Sequence, residues 1–338
     1  MKILLVGINF GNYEKRIVDT FKKLGHEIFY MYDADEHYSF YLRLFGKKYT
    51  DKKNVQYQNR TLKEMPHNFD RVIVIVGRQL KVEFLEEVKT NNPEAKFSLY
   101  LWDDVKRVEN FEKTKEFYDE VYSFDLKDCR DYGFKHLPLF FTQRPKKNTN
   151  KKYDIYSAMF SHSERERIIN SVADQADKMG KKCKFYISVG RFAYIKRRKE
   201  LNKCKRENVI YISQPISEMD NYDNMEKART ILDVQFSSQI GLTMRTIESL
   251  GMKNKLITTN PSIKYYDFFN TDNIFIISRE NPIIEEDFLD TPYQKISEEI
   301  YEKYSLTTWV RTLAGEIKLN NYIGDYDIES LKFEGFDN

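Results

Sequence analysis

The chain has 338 residues, 41% apolar and 15% aromatic, with a formal charge of only +3. At roughly 150 residues per domain this predicts two packed domains, and it excludes both a disordered chain and a protein held to nucleic acid by net charge. Three cysteines, Cys129, Cys183 and Cys204, form neither a paired framework nor a CxxC motif, so a reducing compartment is expected and a structural zinc is not. Apolar runs such as Val72 to Val76 are too short for a bilayer, and MKILLVG lacks the length and cleavage site of a signal peptide. A soluble cytoplasmic protein is therefore expected.

Along the first half, apolar runs of four to six residues alternate with helical stretches, the pattern of a parallel sheet covered on both faces. The predicted strands are Lys2 to Val6, Glu27 to Tyr32, Arg71 to Val76, Phe97 to Leu101, Glu120 to Ser123 and Lys135 to Pro138. Helices over Tyr13 to Leu24 and Val82 to Thr90 repeat apolar residues at three- and four-residue spacing. The turn Gly7-Ile8-Asn9-Phe10-Gly11 after the first strand lacks the three-glycine spacing of a dinucleotide fingerprint, so NAD is not expected there. Asp33 and Asp35 follow the second strand, where carboxylates either bind hydroxyl groups or serve as ordinary turn residues. The fourth strand ends in Trp102-Asp103-Asp104, an indole suited to a sugar ring or to packing beside two carboxylates. Either carboxylate can serve as a proton acceptor or as a cap for the helix near Val105. No further ligand at a definable spacing supports a metal. The polar, basic stretch TQRPKKNTNKK after Phe141 is the predicted linker.

The second half restarts with strands at Tyr153 to Phe160, Lys184 to Val189, Val209 to Ser213, Ile231 to Gln235, Lys255 to Thr258 and Asn273 to Ile277, then turns helical from Glu285 to about Asn320. Ligands of open parallel sheets bind beyond the carboxyl ends of the strands, so the residues just after each strand carry the most weight. These are Ser161, His162, Ser163 and Arg165, with Ser163 and Glu166 at capping-box spacing, then Gly190-Arg191, then Gln214 to Ser217. In Leu232 to Asn260 an apolar run precedes Gln239, Gly241 and Leu242, a helix starts near Thr243, and Arg245 and Glu248 share one of its faces. Free amides and an arginine fork at a helix start favour phosphate. A carboxylate three residues on suits a pair of sugar hydroxyls.

The placement of Gly241, Leu242, Glu248, Leu250, Gly251 and Leu256 to Thr259 resembles the donor half of GT-B glycosyltransferases. The tryptophan and aspartates, the strand near Val121 to Ser123 and His136-Leu137-Pro138-Leu139 are similar to the spore-maturation-protein-like group of bacterial glycosyltransferases. The resemblance implies an α/β GT-B fold of two Rossmann-like doubly wound domains facing across a cleft. Residues 1–145 would form the acceptor-side domain, 146–285 the donor domain, and 286–338 terminal helices and a tail able to cross back to the first. It implies donor contacts from Ser161, His162, Arg165, Arg191, Gln214, Ile216, Gln239, Gly241, Leu242, Thr243, Arg245 and Glu248, with Glu248 on the ribose. Gly7, Asn9, Phe10, Gly11 and Trp102 would face the acceptor, and Asp103 or Asp104 would be catalytic. The co-substrate would be a nucleotide sugar, with a UDP-sugar favoured although the residues do not set the base. No metal or other cofactor would be required.

Many retaining members carry a second glutamate eight positions before the first; that position here is Ile240. Three readings follow. The chain is a glycosyltransferase acting on a glycan or lipid-linked saccharide of a bacterial surface polysaccharide such as capsule, a two-domain sugar-nucleotide epimerase, or a nucleotide-sugar-binding regulator without turnover. Basic residues in RFAYIKRRKELNKCKR, Arg191 to Arg206, form either a solvated helix face or a contact for the inner membrane.

Overall fold

The computed structural model describes residues 1–8, 12–146, 149–162, 164–203 and 206–333. They divide into two units. Unit 1 comprises residues 1–139, 306–322 and 326–332, and unit 2 comprises residues 140–305 and 323–325 with the terminal residues from 333.

Unit 1 is built on β1 (Lys2–Gly7), β2 (Glu27–Tyr32), β3 (Arg71–Ile75), β4 (Lys96–Leu101), β5 (Glu120–Ser123) and β6 (Lys135–His136), in the order β2-β1-β3-β4-β5-β6. Every pairing is parallel. Ile3, Leu4, Leu5, Val72, Ile73, Val74, Phe97 and Leu99 are buried, which is why these strands read as continuous apolar runs and not as alternating ones. Between them lie α1 (Tyr13–Lys23), α2 (Tyr38–Glu64), α3 (Val82–Asn91), α4 (Phe111–Thr114) and α5 (Leu126–Tyr132). Asp125 caps α5 by accepting from the amides of Lys127 at 2.8 Å and Asp128 at 3.3 Å, and Gly133, at φ 69°, ends it in the left-handed region.

α2 is kinked at Gly46 (φ 76°, ψ 176°), and beyond the kink it buries Thr50, Asn54, Gln58 and Thr61. This polar stripe acts on loops. Asn54 Nδ2 donates to Gln79 O at 2.8 Å, and Gln58 Nε2 donates to Asp33 O at 3.0 Å and Gln79 O at 2.9 Å. Two amides thus pin the segments that leave β2 and β3, satisfying backbone groups that burial would otherwise orphan.

Unit 2 contains β7 (Tyr153–Phe160), α6 (Arg165–Lys178), β8 (Cys183–Ser188), α7 (Arg191–Lys203), β9 (Val209–Ile212), α8 (Glu218–Lys227), β10 (Ala228–Asp233), α9 (Met244–Gly251), β11 (Lys255–Thr258) and β12 (Ile274–Ile276). Its parallel sheet runs β12-β11-β10-β7-β8-β9. Counted within the unit this is 3-2-1-4-5-6, the Rossmann order, with its switch point between β7 and β10. Ile155, Ile169, Val172, Phe185, Leu232 and Ile257 meet in the core on one side of that sheet.

β10 stops at Asp233, short of the predicted Gln235, because its ladder partner β11 ends where Thr258 pairs with Asp233 and Asn260-Pro261 follows. The turn after α9 is closed by a residue other than glycine. Lys253, at φ 54°, takes the left-handed position, and Gly251 remains in the helix. Gly251 is required for another reason: a Cβ there would lie 2.5 Å from Phe141.

The helical region after Glu285 is three short helices, α10 (Glu286–Asp290), α11 (Glu298–Lys303) and α12 (Leu306–Ala314). The first two belong to unit 2 and α12 belongs to unit 1. There Trp309 lies 4.8 Å from the Tyr100 ring, and Leu313 O accepts from Arg71 at 3.2 Å. The TQRPKKNTNKK stretch is tied to unit 2. Arg144 makes a bidentate pair with Glu302 at 2.6 and 2.7 Å, while Lys146 N and Thr149 Oγ1 donate to Glu226 at 2.7 and 2.8 Å.

Candidate active site

At the switch point of unit 2, three arginines converge from three elements. Arg245, in the first turn of α9, donates to Asp233 at 2.8 Å and to Ala158 O at 2.7 Å, so it bridges the ends of β10 and β7. Arg165 opens α6, is buried, donates to Val234 O at 2.5 Å, and lies 5.3 Å over the Phe236 ring. Arg279 follows β12 and donates to Gln235 O at 2.7 Å. Its Nη1 is buried without a hydrogen bond among the described residues and lies 3.7 Å from Glu164. The His162 ring stacks on Phe236 at 3.7 Å with an interplanar angle of 3°.

Burial and the neighbouring Arg245 lower the Arg165 guanidinium to about 10. Burial, Arg165 and Arg245 lower His162 to about 4, and burial lowers Arg279. Cations that weaken one another in this way are stabilised by an incoming anion. Asp233, fully buried, holds Arg245 from behind and accepts also from the Thr243 and Thr246 hydroxyls at 2.8 Å each. Thr243 caps α9 through the Thr246 amide at 3.2 Å.

The other residues predicted for this side lie as follows. Ser161 Oγ donates to Glu166, and Glu166 is also gripped by Arg197 of α7 at 2.8 and 2.9 Å. Ser163 lies outside the described residues, and Glu164 holds the N-cap position of α6. Arg191 and Gln214 meet: with the amide oxygen facing the guanidinium, Gln214 accepts from Arg191 Nε at 2.5 Å. Ile216 is half-buried, Leu242 is buried, and Gln239 donates to Gly241 O at 3.0 Å. Glu248 is buried and accepts from the Tyr222 hydroxyl at 2.5 Å, while Tyr222 in turn meets Thr142 at 3.0 Å.

In unit 1 the corresponding strand ends are different. Asp33, buried after β2, accepts from Gln79 N at 3.2 Å, and burial raises its carboxyl to about 6. After β3, Val76 sits at φ 64° in a γ-turn closed by Gly77 N donating to Ile75 O at 2.8 Å. That strained turn for a β-branched residue aims Arg78 at Asp103, its ion-pair partner. Asp104 is a cap, accepting from Lys106 N at 2.9 Å. Trp102 is not available to stack on a sugar. It is 9% exposed and packs against Tyr13, Tyr100 and Trp309 at 5.9, 6.1 and 6.4 Å. Gly7 ends β1 with the Tyr30 hydroxyl 2.8 Å from where a Cβ would stand, and Asn9, Phe10 and Gly11 lie outside the described residues. A polar cavity of about 370 Å³ is lined by Lys47, Asp51, Arg78, Gln79, Lys81 and Glu109, among others. No group of three or more potential metal ligands occurs among the described residues.

Sequence reasoning missed Asp233, Phe236 and Arg279. The available signal was their position at or just past the ends of β10 and β12.

No protein-family model and no curated protein matches the sequence. Solved structures do. The lipopolysaccharide outer core galactosyltransferase WaaB in its apo form aligns over 94% of this chain and 99% of its own, at 11% identity and a TM-score of 0.52. A UDP-forming α,α-trehalose-phosphate synthase from Burkholderia xenovorans aligns over 93% and 98%, at 10% identity and 0.55. A UDP-N-acetylglucosamine 2-epimerase assignment from Listeria monocytogenes aligns over 95% and 98%, at 11% identity and 0.53. With two all-parallel six-stranded sheets in one chain, these likenesses establish the architecture: the protein has the two-domain, Rossmann-like GT-B fold.

Proposed function

We propose that the protein is a glycosyltransferase that moves a sugar from a nucleoside-diphosphate sugar to a hydroxyl of a bacterial surface-polysaccharide intermediate. The observation that carries the reading is the convergence of Arg165, Arg245 and Arg279 on the switch point of a Rossmann-ordered sheet. A leaving diphosphate gains negative charge as the glycosidic bond breaks, and a pre-placed cationic cluster stabilises that charge without reorganising. No metal is needed for this step in the proposal.

In this reading Arg245 and Arg279 hold the diphosphate directly and Arg165 stiffens the cluster from its buried position. Glu248 meets the ribose. A carboxylate accepts several hydrogen bonds, and the one from Tyr222 sets its rotamer. The Arg191–Gln214 pair lies beyond the neighbouring strands β8 and β9, where a base would be read. Asp103, oriented by Arg78, is assigned the acceptor proton, and the polar cavity beside Arg78 the acceptor hydroxyls. Asp104, engaged as a cap, is a positioning residue.

A second reading is favoured by the likeness to the epimerase-like structure from Listeria monocytogenes. One experiment tests the donor site and a second separates the readings. Nucleoside diphosphates and their sugars should raise the melting temperature, with one base preferred, and Arg245→Ala should abolish the shift. No shift with any nucleotide overturns the proposal. Nucleotide release that needs no added acceptor and leaves an epimerised sugar makes the protein an epimerase.

A further inference from the structure

The structure assigns a second surface, which meets the polar cavity at Lys47: the amino-terminal part of α2 is a docking face for an anionic lipid bilayer. Every residue from 42 to 49 is exposed. Among them, and just before, stand five large apolar side chains: Phe40, Leu42, Leu44, Phe45 and Tyr49, exposed by 51, 43, 55, 56 and 40%. Single exposed apolar residues are ordinary; five within ten positions of one helix are not.

These side chains are not loose. Phe45 and Tyr49 rings lie 4.8 Å apart, Tyr41 and Tyr49 5.9 Å, and Phe40 and Tyr41 6.0 Å, so the aromatics brace one another while remaining open to solvent. Gly46 breaks the helix within the patch at φ 76°, which turns the apolar segment away from the buried polar stripe that follows.

Charge selects the occupant. Arg43, Lys47, Lys48, Lys52 and Lys53 are interleaved with the apolar side chains, and the acids from residue 36 to 53 are Glu36 and Asp51. Asp51 is bound by Lys81 at 3.0 Å. Lys47 approaches Glu109 only at 3.9 Å, with the two side chains 73% and 85% exposed. Aromatic and aliphatic residues flanked by lysines match the boundary of an anionic bilayer, where apolar groups enter below the headgroups and ammonium groups meet phosphate. A second copy of this chain would have to bring like charges together. Among the described residues no helix is long and apolar enough to span, so the segment lies on the surface.

α7 makes a weaker case. It exposes Phe192 and Ile195 by 91 and 72%, but Arg197 is paired with Glu166 and Glu200, and the nearby Arg206 with Asp174 and Asp177.

The test is sedimentation of the full chain with vesicles of phosphatidylcholine alone and of an equimolar mixture with phosphatidylglycerol. We expect binding to the mixed vesicles that weakens with salt. The triple variant Phe40→Ser, Leu44→Ser, Phe45→Ser should lose it. Lys47→Glu with Lys48→Glu should weaken it about fivefold or more per residue. The melting temperature of each variant checks folding, and the charge variant preserves the test if the triple variant fails to fold. Binding kept by both variants and lost in Phe192→Ser, Ile195→Ser would overturn the assignment in favour of α7. Absence of vesicle binding, or a concentration-dependent dimer abolished by the triple variant in its place, would also overturn it. Vesicle binding requires no nucleotide, so its outcome is independent of the donor-site reading.

Discussion

Beyond β7 and β10, Arg245 grips Asp233, a carboxylate that is fully buried and fully engaged, while Arg165 and Arg279 bond the carbonyls of the next two residues, Val234 and Gln235. Beyond β2 and β3 the buried group is again an aspartate, Asp33, but its neighbours are amides, and the single guanidinium nearby, Arg78, is committed to Asp103. The same side chain therefore meets opposite surroundings at the two sheets. In unit 2 the Asp233 carboxylate binds Arg245 and two hydroxyls; in unit 1 burial opposes the ionisation of Asp33. In the proposed reading the first edge receives the diphosphate and the second the acceptor hydroxyls.

One substitution made twice gives the widest test of that contrast. Asp233→Asn should destabilise the protein by about 3 kcal/mol, because it leaves the partly buried Arg245 without its ion-pair partner and disturbs the two threonine hydroxyls bonded to the same carboxylate. Urea unfolding at pH 7 measures it, and a loss below about 1 kcal/mol would mean that Asp233 is dispensable to the cluster. Asp33→Asn should act in the opposite direction, stabilising by about 2 kcal/mol at pH 7, since it removes a carboxyl whose ionisation in the fold is penalised. The gain should vanish at low pH. Between 3.8 and about 6 the folded chain holds a proton that the unfolded chain has released, so this group's contribution falls as pH rises through that window. A variant less stable than its parent at pH 7 would show that the carboxylate is wanted there.

His162 sharpens the comparison in the other sense. Its folded value of about 4 lies below the ordinary 6.5, so between those values the unfolded chain carries the extra proton. Stability from this group is full above 6.5 and is lost as pH falls toward 4. His162→Gln should flatten that part of the stability profile, and an unchanged slope would place the ring outside the influence of Arg165 and Arg245. The smallest expected change is in the unliganded stability of Arg279→Ala, within about 0.5 kcal/mol, because lost contacts offset relieved repulsion. The same variant should lose most of the nucleotide-dependent melting shift. A large drop in unliganded stability would make Arg279 a structural residue.

Much of the fold was legible because the strands of a parallel sheet appear as short runs rich in aromatic and β-branched residues between helical stretches: Glu27–Tyr32, Glu120–Ser123, Tyr153–Phe160 and Lys255–Thr258 stand where their residues predict. β10 was misplaced because Val234 to Phe236 continue the apolar run after the ladder partner has ended, and local composition carries no record of where a neighbouring strand stops. In the candidate site, Arg245 and Arg165 announced themselves by helix starts, which are local. Arg279 did not, because its significance arises only when segments more than forty residues apart close on one another, and Asp233 did not, because it sits at the end of an apolar strand and the partners of its carboxylate lie in the next helix. Trp102 shows the converse. Its neighbours in sequence suited it to a sugar ring or to packing, and the partner it packs on, Trp309, lies more than two hundred residues away.

That distant tryptophan has a bearing on synthesis. Unit 1 takes its first 139 residues from the start of the chain but completes its core with Trp309, Val310 and Leu313, all buried in α12. A chain emerging from the ribosome in order therefore has every strand of unit 2 in hand before unit 1 can bury Tyr100 against its last helix. Until then the amino-terminal sheet waits with an apolar face uncovered, and a chaperone that recognises such faces would be expected to act on the half of the protein made first.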